Sequence, residues 1–369
     1  MVSLRIAILG TRGVPPQYGG FETFAAELGT RLAKRGHEVT VYCRYKGPKE
    51  WRGIGRVELP AIPGKYFETV THTALSAIDA LTRDFGVVLL CNAANAFTIP
   101  LLRAARIPVA INVDGIERRR RKWNILGRAV YLTGETFSAS FANRVIADAD
   151  VIANYYRTNF DIEPLTIPYG AEFPDEADTD VLQRLALEPK NYLLYVSRFE
   201  PENNPLEVVE AIEKTRQRGN PATKLVMMGE AKYDKKLEET LRSHESATTL
   251  FPGALYGADY RTLQRNALIY IQATEVGGTH PALIEAMGSG GCVLAHDTAE
   301  NREVGGETIG YFRLRPAETL SGSVRELLAD ENRREQMRVE ARKRAAARYS
   351  WTAVTDAYEQ LFEELGGNG

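Results

Sequence analysis

The chain has 369 residues, which at ~150 residues per domain points to two domains. Hydrophobic residues make up 44% and charged residues 25%. That mix belongs to a globular fold and excludes a disordered chain, a collagen-like chain and a disulfide-stapled miniprotein. Lys and Arg number 46 against 48 Asp and Glu, a formal net charge of -2, so nothing global points to nucleic acid and any anion-binding surface must be local. The three cysteines, Cys43, Cys91 and Cys292, are far apart and lack CxxC spacing, which fits reduced thiols in a cytosolic protein. The first residues run straight into a strand-like segment rather than a signal-peptide core. No apolar stretch reaches the ~18 residues of a membrane span.

In chain order, short apolar strands alternate with longer amphipathic helices. Leu4 to Leu9 reads as a strand, and Phe21 to Arg35 as a helix with Phe21, Phe24, Ala25, Leu28 and Leu32 on one face. Gly36 ends it, and Glu38 to Cys43, Val87 to Cys91, Val109 to Val113 and Arg144 to Ala147 read as further strands. Residues Ala171 to Pro189 are acidic and proline-containing, and read as a linker with a short helix. The rhythm restarts with strands at Tyr192 to Val196, Lys224 to Met228, Thr248 to Phe251, Leu268 to Gln272 and Cys292 to Ala295. Helices are expected at Pro205 to Arg218, Pro281 to Gly288, Asn332 to Arg348 and from Trp351 to Leu365. This β-α-β alternation predicts an α/β fold of two doubly wound parallel sheets. Ligands of such sheets bind beyond the carboxyl ends of the strands, so function is expected in the strand-to-helix loops.

Three loops carry candidate chemistry. Gly10-Thr-Arg-Gly-Val-Pro-Pro-Gln-Tyr-Gly19-Gly20 joins a strand to a helix start, where glycines admit close backbone approach and free amides face a phosphate or sugar. A tight turn explains it equally. Its spacing is not G-x-G-x-x-G, and Cys43-Arg44 stand where a dinucleotide fold carries an acid, which disfavours an NAD oxidoreductase. In Ala273 to Gly291 a strand runs into Gly277-Gly278-Thr279-His280-Pro281. Thr279 is expected near the N-cap, amides that could cradle a diphosphate precede the helix, and Glu285 lies one turn in. Arg198 directly follows the strand ending at Val196 and suits an anion bidentately. Asp114 and Asp148 each follow a strand; either could orient or deprotonate a hydroxyl, or simply cap a turn. The run Glu117-Arg118-Arg119-Arg120-Arg121-Lys122-Trp123 is strongly basic. Such runs are mostly solvated helix faces, but near an anionic membrane each charge is worth about 1 kcal/mol. His37 and His72 lack partners at metal spacing, so structural roles are expected.

Taken together, these motifs resemble the retaining, nucleotide-sugar glycosyltransferases of family 4, which have the GT-B fold. Gly19-Gly20 before a helix with Arg35-Gly-His-Glu-Val-Thr-Val41, Ile167-Pro-Tyr-Gly170, Ser197-Arg198 and Tyr349-Ser-Trp351 are similar to that family's landmarks in the same order. The family's Glu-x7-Glu is incomplete: Glu285 fits the second position, Gly277 occupies the first, and Glu275 comes two residues early. Asn203 replaces a Lys and Tyr169 an Asn. These departures, with Tyr18-Gly-Gly-Phe-Glu-Thr23, Asn112-Val-Asp-Gly and Val276-Gly-Gly-Thr-His-Pro281, resemble the bacterial rhamnosyltransferases that use dTDP-rhamnose.

The resemblance implies an acceptor-binding domain of residues 1–170 plus 351–369, the last helix crossing back onto it, and a nucleotide-sugar-binding domain of residues 171–350. The two would face each other across a cleft. Arg198 and the Gly277, Gly278 and Thr279 amides would neutralise the leaving diphosphate, with Asn203 beside them. Glu285 would hold the ribose hydroxyls, Tyr256 would border the base, and Gly229 and Glu230 would line the same site. His280 or backbone amides would take over the sugar contacts of the missing Glu. Gly19 and Gly20 would touch the donor, while Asp114, Asp148 and Tyr169 would act on the acceptor side. Asp148-Ala-Asp150 spells a D-x-D, but the GT-B fold does not normally need a metal there, so no metal or other cofactor is expected. Arg118, Arg119, Arg120, Arg121 and Lys122 would meet a lipid-diphosphate-linked acceptor at the cytoplasmic face of a membrane. Alternatives are a UDP- or GDP-sugar donor, a soluble acceptor, or a nucleotide-sugar-binding protein without turnover.

Overall fold

A computed structural model describes residues 3–16, 20–62, 64, 67–119, 124–173, 180–219, 223–231, 234–315 and 318–367. The chain separates into two compact units. Unit 1 is Met1–Gly170 with Trp351–Gly369, and unit 2 is Ala171–Ser350.

The first stretch of unit 1 runs β1 (Arg5–Leu9), α1 (Gly20–Lys34), β2 (Glu38–Cys43), β3 (Glu50–Trp51), β4 (Ile54–Glu58), α2 (Phe67–Ala80) and β5 (Val87–Cys91). A 3-10 turn at Ala93–Thr98 leads to α3 (Ile99–Ala104), β6 (Val109–Asn112), α4 (Ile125–Phe141), β7 (Arg144–Ala147), α5 (Asp150–Phe160) and β8 (Leu165–Thr166). The sheet order is β3-β4-β2-β1-β5-β6-β7-β8, parallel except where β3 meets β4. Ile6 sits opposite Val39 of β2 on one side and Val87 of β5 on the other. The pleat of β1 sends Ile6 and Ile8 into one core, with Phe24 and Leu28 of α1. Ala7 and Leu9 go to the opposite core, under the helices of the other face. Burial on both faces explains why β5, Val-Val-Leu-Leu-Cys, is apolar throughout.

Unit 2 contains α6 (Asp180–Arg184), β9 (Tyr192–Val196), α7 (Pro205–Gln217), β10 (Lys224–Met228), α8 (Lys235–Arg242), β11 (Thr249–Gly253), α9 (Gly257–Asn266) and β12 (Ile269–Gln272). It continues with α10 (Pro281–Gly288), β13 (Val293–His296), α11 (Ala299–Gly305), β14 (Gly310–Phe312), α12 (Glu318–Ala329) and α13 (Glu331–Arg348). Its sheet is parallel, in the order β11-β10-β9-β12-β13-β14. The segment read from sequence as a linker is largely part of this unit. Ala171, Val181, Leu182 and Leu187 are buried in its core, because a few well-spaced apolar residues suffice to seat α6 against α9.

The final helix, α14 (Trp351–Gly366), returns to unit 1. It buries Trp351, Val354, Tyr358, Leu361 and Phe362 in the α1 core. At its edge Arg35 meets Asp356 and Glu359, both at 2.6 Å. His37 accepts the Leu4 amide through Nδ1 and donates from Nε2 to Glu359 at 2.8 Å. Burial opposes ionisation of Glu359, yet the hydrogen bonds from His37 and Arg35 hold its carboxyl below the usual range. His37 is therefore a structural residue, as expected. All three cysteines are buried and free of disulfides. No described helix is long and apolar enough to cross a membrane.

Candidate functional site

In each sheet the strand order reverses once, between β1 and β5 in unit 1 and between β9 and β12 in unit 2. Loops diverge at such a point and leave a crevice at the carboxyl edge, the place where ligands of doubly wound sheets bind.

In unit 2 the loops after β9 and β12 are fastened together. The Asn204 amide donates to the Ala273 carbonyl at 2.8 Å, and the Glu275 amide donates to the Glu202 carbonyl at 2.9 Å. Asn204, left-handed at φ 54°, turns the chain into Pro205, the first residue of α7. Arg198 stands at the head of this loop with its side chain about two-fifths exposed and Glu200 at 3.8 Å. Asn203 is almost fully buried: its amide donates to the Arg198 carbonyl at 2.7 Å, and its own carbonyl accepts the Tyr195 hydroxyl at 2.8 Å. Asn203 thus fixes the main chain that presents Arg198.

The second loop is closely built. Gly277 lies against His280: a Cβ there would fall 2.3 Å from the imidazole and displace the ring. The N-cap of α10 is His280, with Thr279 next to it, near the cap as the sequence suggests. Pro281 at the first helical position holds the preceding residue extended, so His280 takes the cap while Thr279 is buried one step earlier. Glu285 accepts a hydrogen bond from the buried Tyr260 hydroxyl. Burial and this carboxylate push the Tyr260 phenol well above its ordinary range, so the phenol remains a donor. At the ends of β10 and β11, Gly229 donates to the Gly253 carbonyl at 3.1 Å. Its φ of +154°, with the Ser197 carbonyl oxygen 1.8 Å from any added Cβ, admits only glycine. Glu230 and Tyr256 are exposed beside it, and burial followed by the charge of Glu230 raises the Tyr256 phenol. Arg198, Gly277, Gly278, Thr279, Glu285, Gly229, Glu230 and Tyr256 therefore all belong to the loops and helix starts at one edge of one sheet.

In unit 1 the corresponding edge is built from ionisable side chains. Gly10 follows β1 with φ +88°, and a Cβ on it would fall 2.3 Å from the Cys91 carbonyl oxygen. The Arg12 amide donates to Glu22 of α1 at 3.0 Å. Burial lifts the Glu22 carboxyl above its usual range, held back by the Arg12 amide. The Arg44 amide, just past β2, donates to the Arg12 carbonyl at 2.9 Å. Both guanidiniums turn to Glu68 of α2, at 3.7 and 3.5 Å. Burial lowers Arg44 from its ordinary value, and burial together with the Arg44 charge brings His72 down to about 4.

Asp114 accommodates a positive φ of 56° and takes its amide hydrogen bond to Asn112 Oδ1 at 3.0 Å. Asn112 in turn donates to the Tyr358 hydroxyl of α14 at 2.9 Å. Asp114 is half-buried, whereas Asp148 is almost fully buried. Tyr169 is buried edge-on against Phe24, 5.4 Å between centroids. Burial, then the charges of Asp114 and Asp148, raise its phenol well above the ordinary range; Asp114 and Asp148 themselves follow β6 and β7 at this edge. Asp150 of the D-x-D accepts from Thr166 at 2.8 Å and starts α5, so it serves a local structural contact. Gly20 is exposed at the first turn of α1, while Gly19 lies outside the described residues. In the basic run, Arg118 turns inward, donating to Glu135 at 3.1 Å and to the Tyr155 hydroxyl at 2.7 Å. A buried carboxylate outcompetes solvent for it. The Arg119 side chain and Arg120, Arg121 and Lys122 lie outside the described residues. The sequence reading did not single out Arg12, Glu22 or Arg44 individually; their signal is position, immediately past β1, in the first turn of α1 and immediately past β2.

Two family models match the chain, one for each half. Glycosyltransferase Family 4 matches residues 18–171, and Glycosyl transferases group 1 matches residues 178–344. No curated protein matches the chain in sequence. Among solved structures, sucrose-phosphate synthase from Thermosynechococcus elongatus superposes with a TM-score of 0.84 at 19% identity, over 99% of this chain and 100% of that one. HepE of Anabaena, solved with UDP-glucose, gives 0.82 at 14% identity over 98% and 100%. A glycosyltransferase from Rickettsia africae gives 0.78 at 14% identity over the whole of both chains. At these identities the structures speak for the fold. With family models accounting for both halves and two doubly wound units in the expected order, the chain belongs to the nucleotide-sugar glycosyltransferases of GT-B fold, group 1 and family 4.

Proposed function

We propose that the protein is a retaining, metal-independent rhamnosyltransferase. It moves L-rhamnose from dTDP-rhamnose onto a lipid-diphosphate-linked sugar at the cytoplasmic face of the membrane, in bacterial surface polysaccharide assembly. What supports the donor half is that Arg198 and the Gly277–Thr279 loop follow adjacent strands, β9 and β12, whose loops are fastened together at the switch point of unit 2. In this reading the bond between the sugar C1 and the diphosphate oxygen breaks and its electron pair leaves with the diphosphate. Arg198 and the loop amides meet that charge as it grows, while the sugar passes through an oxocarbenium-like state. The acceptor oxygen bonds to C1 on the face the diphosphate leaves, and its proton passes to Asp114 or to the departing phosphate. Glu285 holds the ribose hydroxyls, Glu230 and Tyr256 border the base, and His280 serves the sugar hydroxyls in place of the carboxylate that Gly277 lacks. Unit 1 supplies the acceptor side, with Asp148 and Tyr169 positioning Asp114. Arg12 and Arg44 at the same edge suit an acceptor that carries phosphate.

A second reading, a UDP-sugar donor, is favoured by the likeness to HepE, which was solved with UDP-glucose. A thermal-shift panel of dTDP-, UDP- and GDP-sugars at one concentration separates the two, because stabilisation of the folded state grows with the logarithm of ligand affinity. The largest shift is expected with dTDP-rhamnose; a larger one with a UDP-sugar would replace the rhamnose reading. Sugar transfer that persists in a chelator is expected. Loss of transfer restored by manganese would overturn metal independence. Donor binding with neither transfer nor donor hydrolysis would mark a binding protein.

A further inference from the structure

Two helices of unit 1 are packed inside out. Helix α2 buries His72, Thr73 and Ser76 along with Ala77 and Ala80, and exposes Leu75 and Ile78, the latter by 53%. Helix α4 turns Gly127, Gly134, Glu135 and Ser138 inward and leaves Ile125 87% exposed, with Val130 and Leu132 about half exposed. The inward arrangement is specific. A Cβ on Gly134 would lie 2.3 Å from the Ala93 carbonyl oxygen, and Glu135 is held by Arg118 and Tyr155. Both helices pack on the Ala93–Thr98 turn and on α3, which add exposed Phe97 and Leu101 between them. These elements carry most of the large apolar side chains exposed among the described residues; unit 2 contributes Tyr256 and Val339. A soluble helix normally turns its apolar stripe inward, so a clustered reversal marks a surface that something else covers.

The charges on this face choose the occupant. Arg103, Arg106 and Arg128 are exposed on or just beyond α3 and α4, and the basic run Arg119 to Lys122 shortly precedes α4 in sequence. The acids of the three helices are engaged elsewhere: Glu68 with Arg12 and Arg44, Asp79 with Tyr42 and Arg83, Glu135 with Arg118. A second copy meeting this face about a two-fold axis would set arginines against arginines with no acid to answer them. An apolar surface flanked by cations fits the headgroup and acyl boundary of an anionic bilayer.

We propose that the α2–α3–α4 face of unit 1 docks on an anionic lipid surface, with Ile78, Ile125, Val130 and Leu132 entering the interface and Arg103, Arg106 and Arg128 meeting the headgroups. This deepens the membrane contact proposed above. It rests on that reading for the lipid-linked acceptor, not for the surface itself.

The test is sedimentation of the full chain with phosphatidylglycerol–phosphatidylcholine vesicles and with phosphatidylcholine vesicles, alongside nucleotide-sugar thermal shifts and molar mass in solution. The wild type is expected to sediment with the anionic vesicles, less so at high salt. Ile78→Glu/Val130→Glu should lose at least about tenfold of that binding while keeping the nucleotide-sugar shift. Arg103→Gln/Arg128→Gln should weaken it to a smaller degree. Equal binding of wild type and the glutamate variant, or no binding of the wild type, would overturn the proposal. A wild-type dimer that the glutamate variant converts to monomer, without vesicle binding, would make the face a subunit interface instead. A failed donor reading would show in the thermal shifts and leave the vesicle result unaffected.

Discussion

The two switch points are built from different materials. In unit 2 the loops after β9 and β12 are joined mainly through main-chain carbonyls and the amides of Asn203 and Asn204, and one guanidinium, Arg198, extends from that frame. In unit 1 the loops after β1, β2, β6 and β7 bring Glu22, Arg44, Asp114 and Asp148 to the edge, with His72 buried beneath Arg44. A frame of amides holds its geometry at any pH in which the protein folds. A frame of buried ionisable groups couples its geometry to protonation. The difference suits a fixed anion clamp on one unit and proton-handling chemistry on the other.

The sharpest way to break this contrast is Arg198→Ala. Loss of a donor aimed at developing charge should lower kcat between about 100- and 1,000-fold in a donor-hydrolysis or transfer assay. An unchanged kcat with unchanged nucleotide affinity would remove the clamp. Next comes acid stability. His72 has a folded-state value of about 4 against an ordinary 6.5, so the unfolded chain binds the proton first as the pH falls. Its contribution is intact above 6.5, erodes between 6.5 and about 4, and amounts to roughly 3 kcal/mol. Glu22, raised by burial, works in the opposite sense, because the folded chain protonates it first. Urea unfolding at several pH values should show His72→Gln losing roughly 3 kcal/mol less than wild type on acidification.

Asp114→Asn should cost about 100-fold in transfer if Asp114 handles the acceptor proton. Asp148→Asn, at a buried position, should affect folding stability more than it alters the pH profile. A reversal of these two results would exchange their roles. The smallest effect is expected at Glu285→Gln, about tenfold in nucleotide affinity by isothermal titration, with the Tyr260 hydrogen bond able to persist to the new amide.

Much of this was legible in the sequence where burial is symmetric. Strands Glu38–Cys43, Val87–Cys91, Tyr192–Val196 and Lys224–Met228, and helix Pro281–Gly288, have the bounds their apolar runs and caps indicate. Helix α4 escaped because its pattern is reversed: Gly127, Gly134 and Ser138 inside offer no apolar stripe to read. The antiparallel pair β3 and β4 escaped because β3 has only two residues. At the site, Arg198 and the Gly277 loop are visible as local motifs. The Glu22–Arg12–Arg44–His72 cluster is not, because it is assembled from four segments that meet only once the sheet has formed.

Helix α14 has a consequence for the order of events in synthesis. Its buried residues Trp351, Tyr358 and Phe362 complete the α1 core, and a Cβ on Gly170 would lie 2.5 Å from the Trp351 ring. Within unit 2, Ala171 donates to the Tyr349 carbonyl at 2.8 Å and bridges Ser350, so that unit's two ends are neighbours. Unit 2 is in effect an insertion between Gly170 and Trp351. A nascent chain leaving the ribosome can close the inserted unit while the earlier-made sheet still waits for its last helix. Emergence of α14, rather than of the first 170 residues, sets the moment at which unit 1 becomes whole.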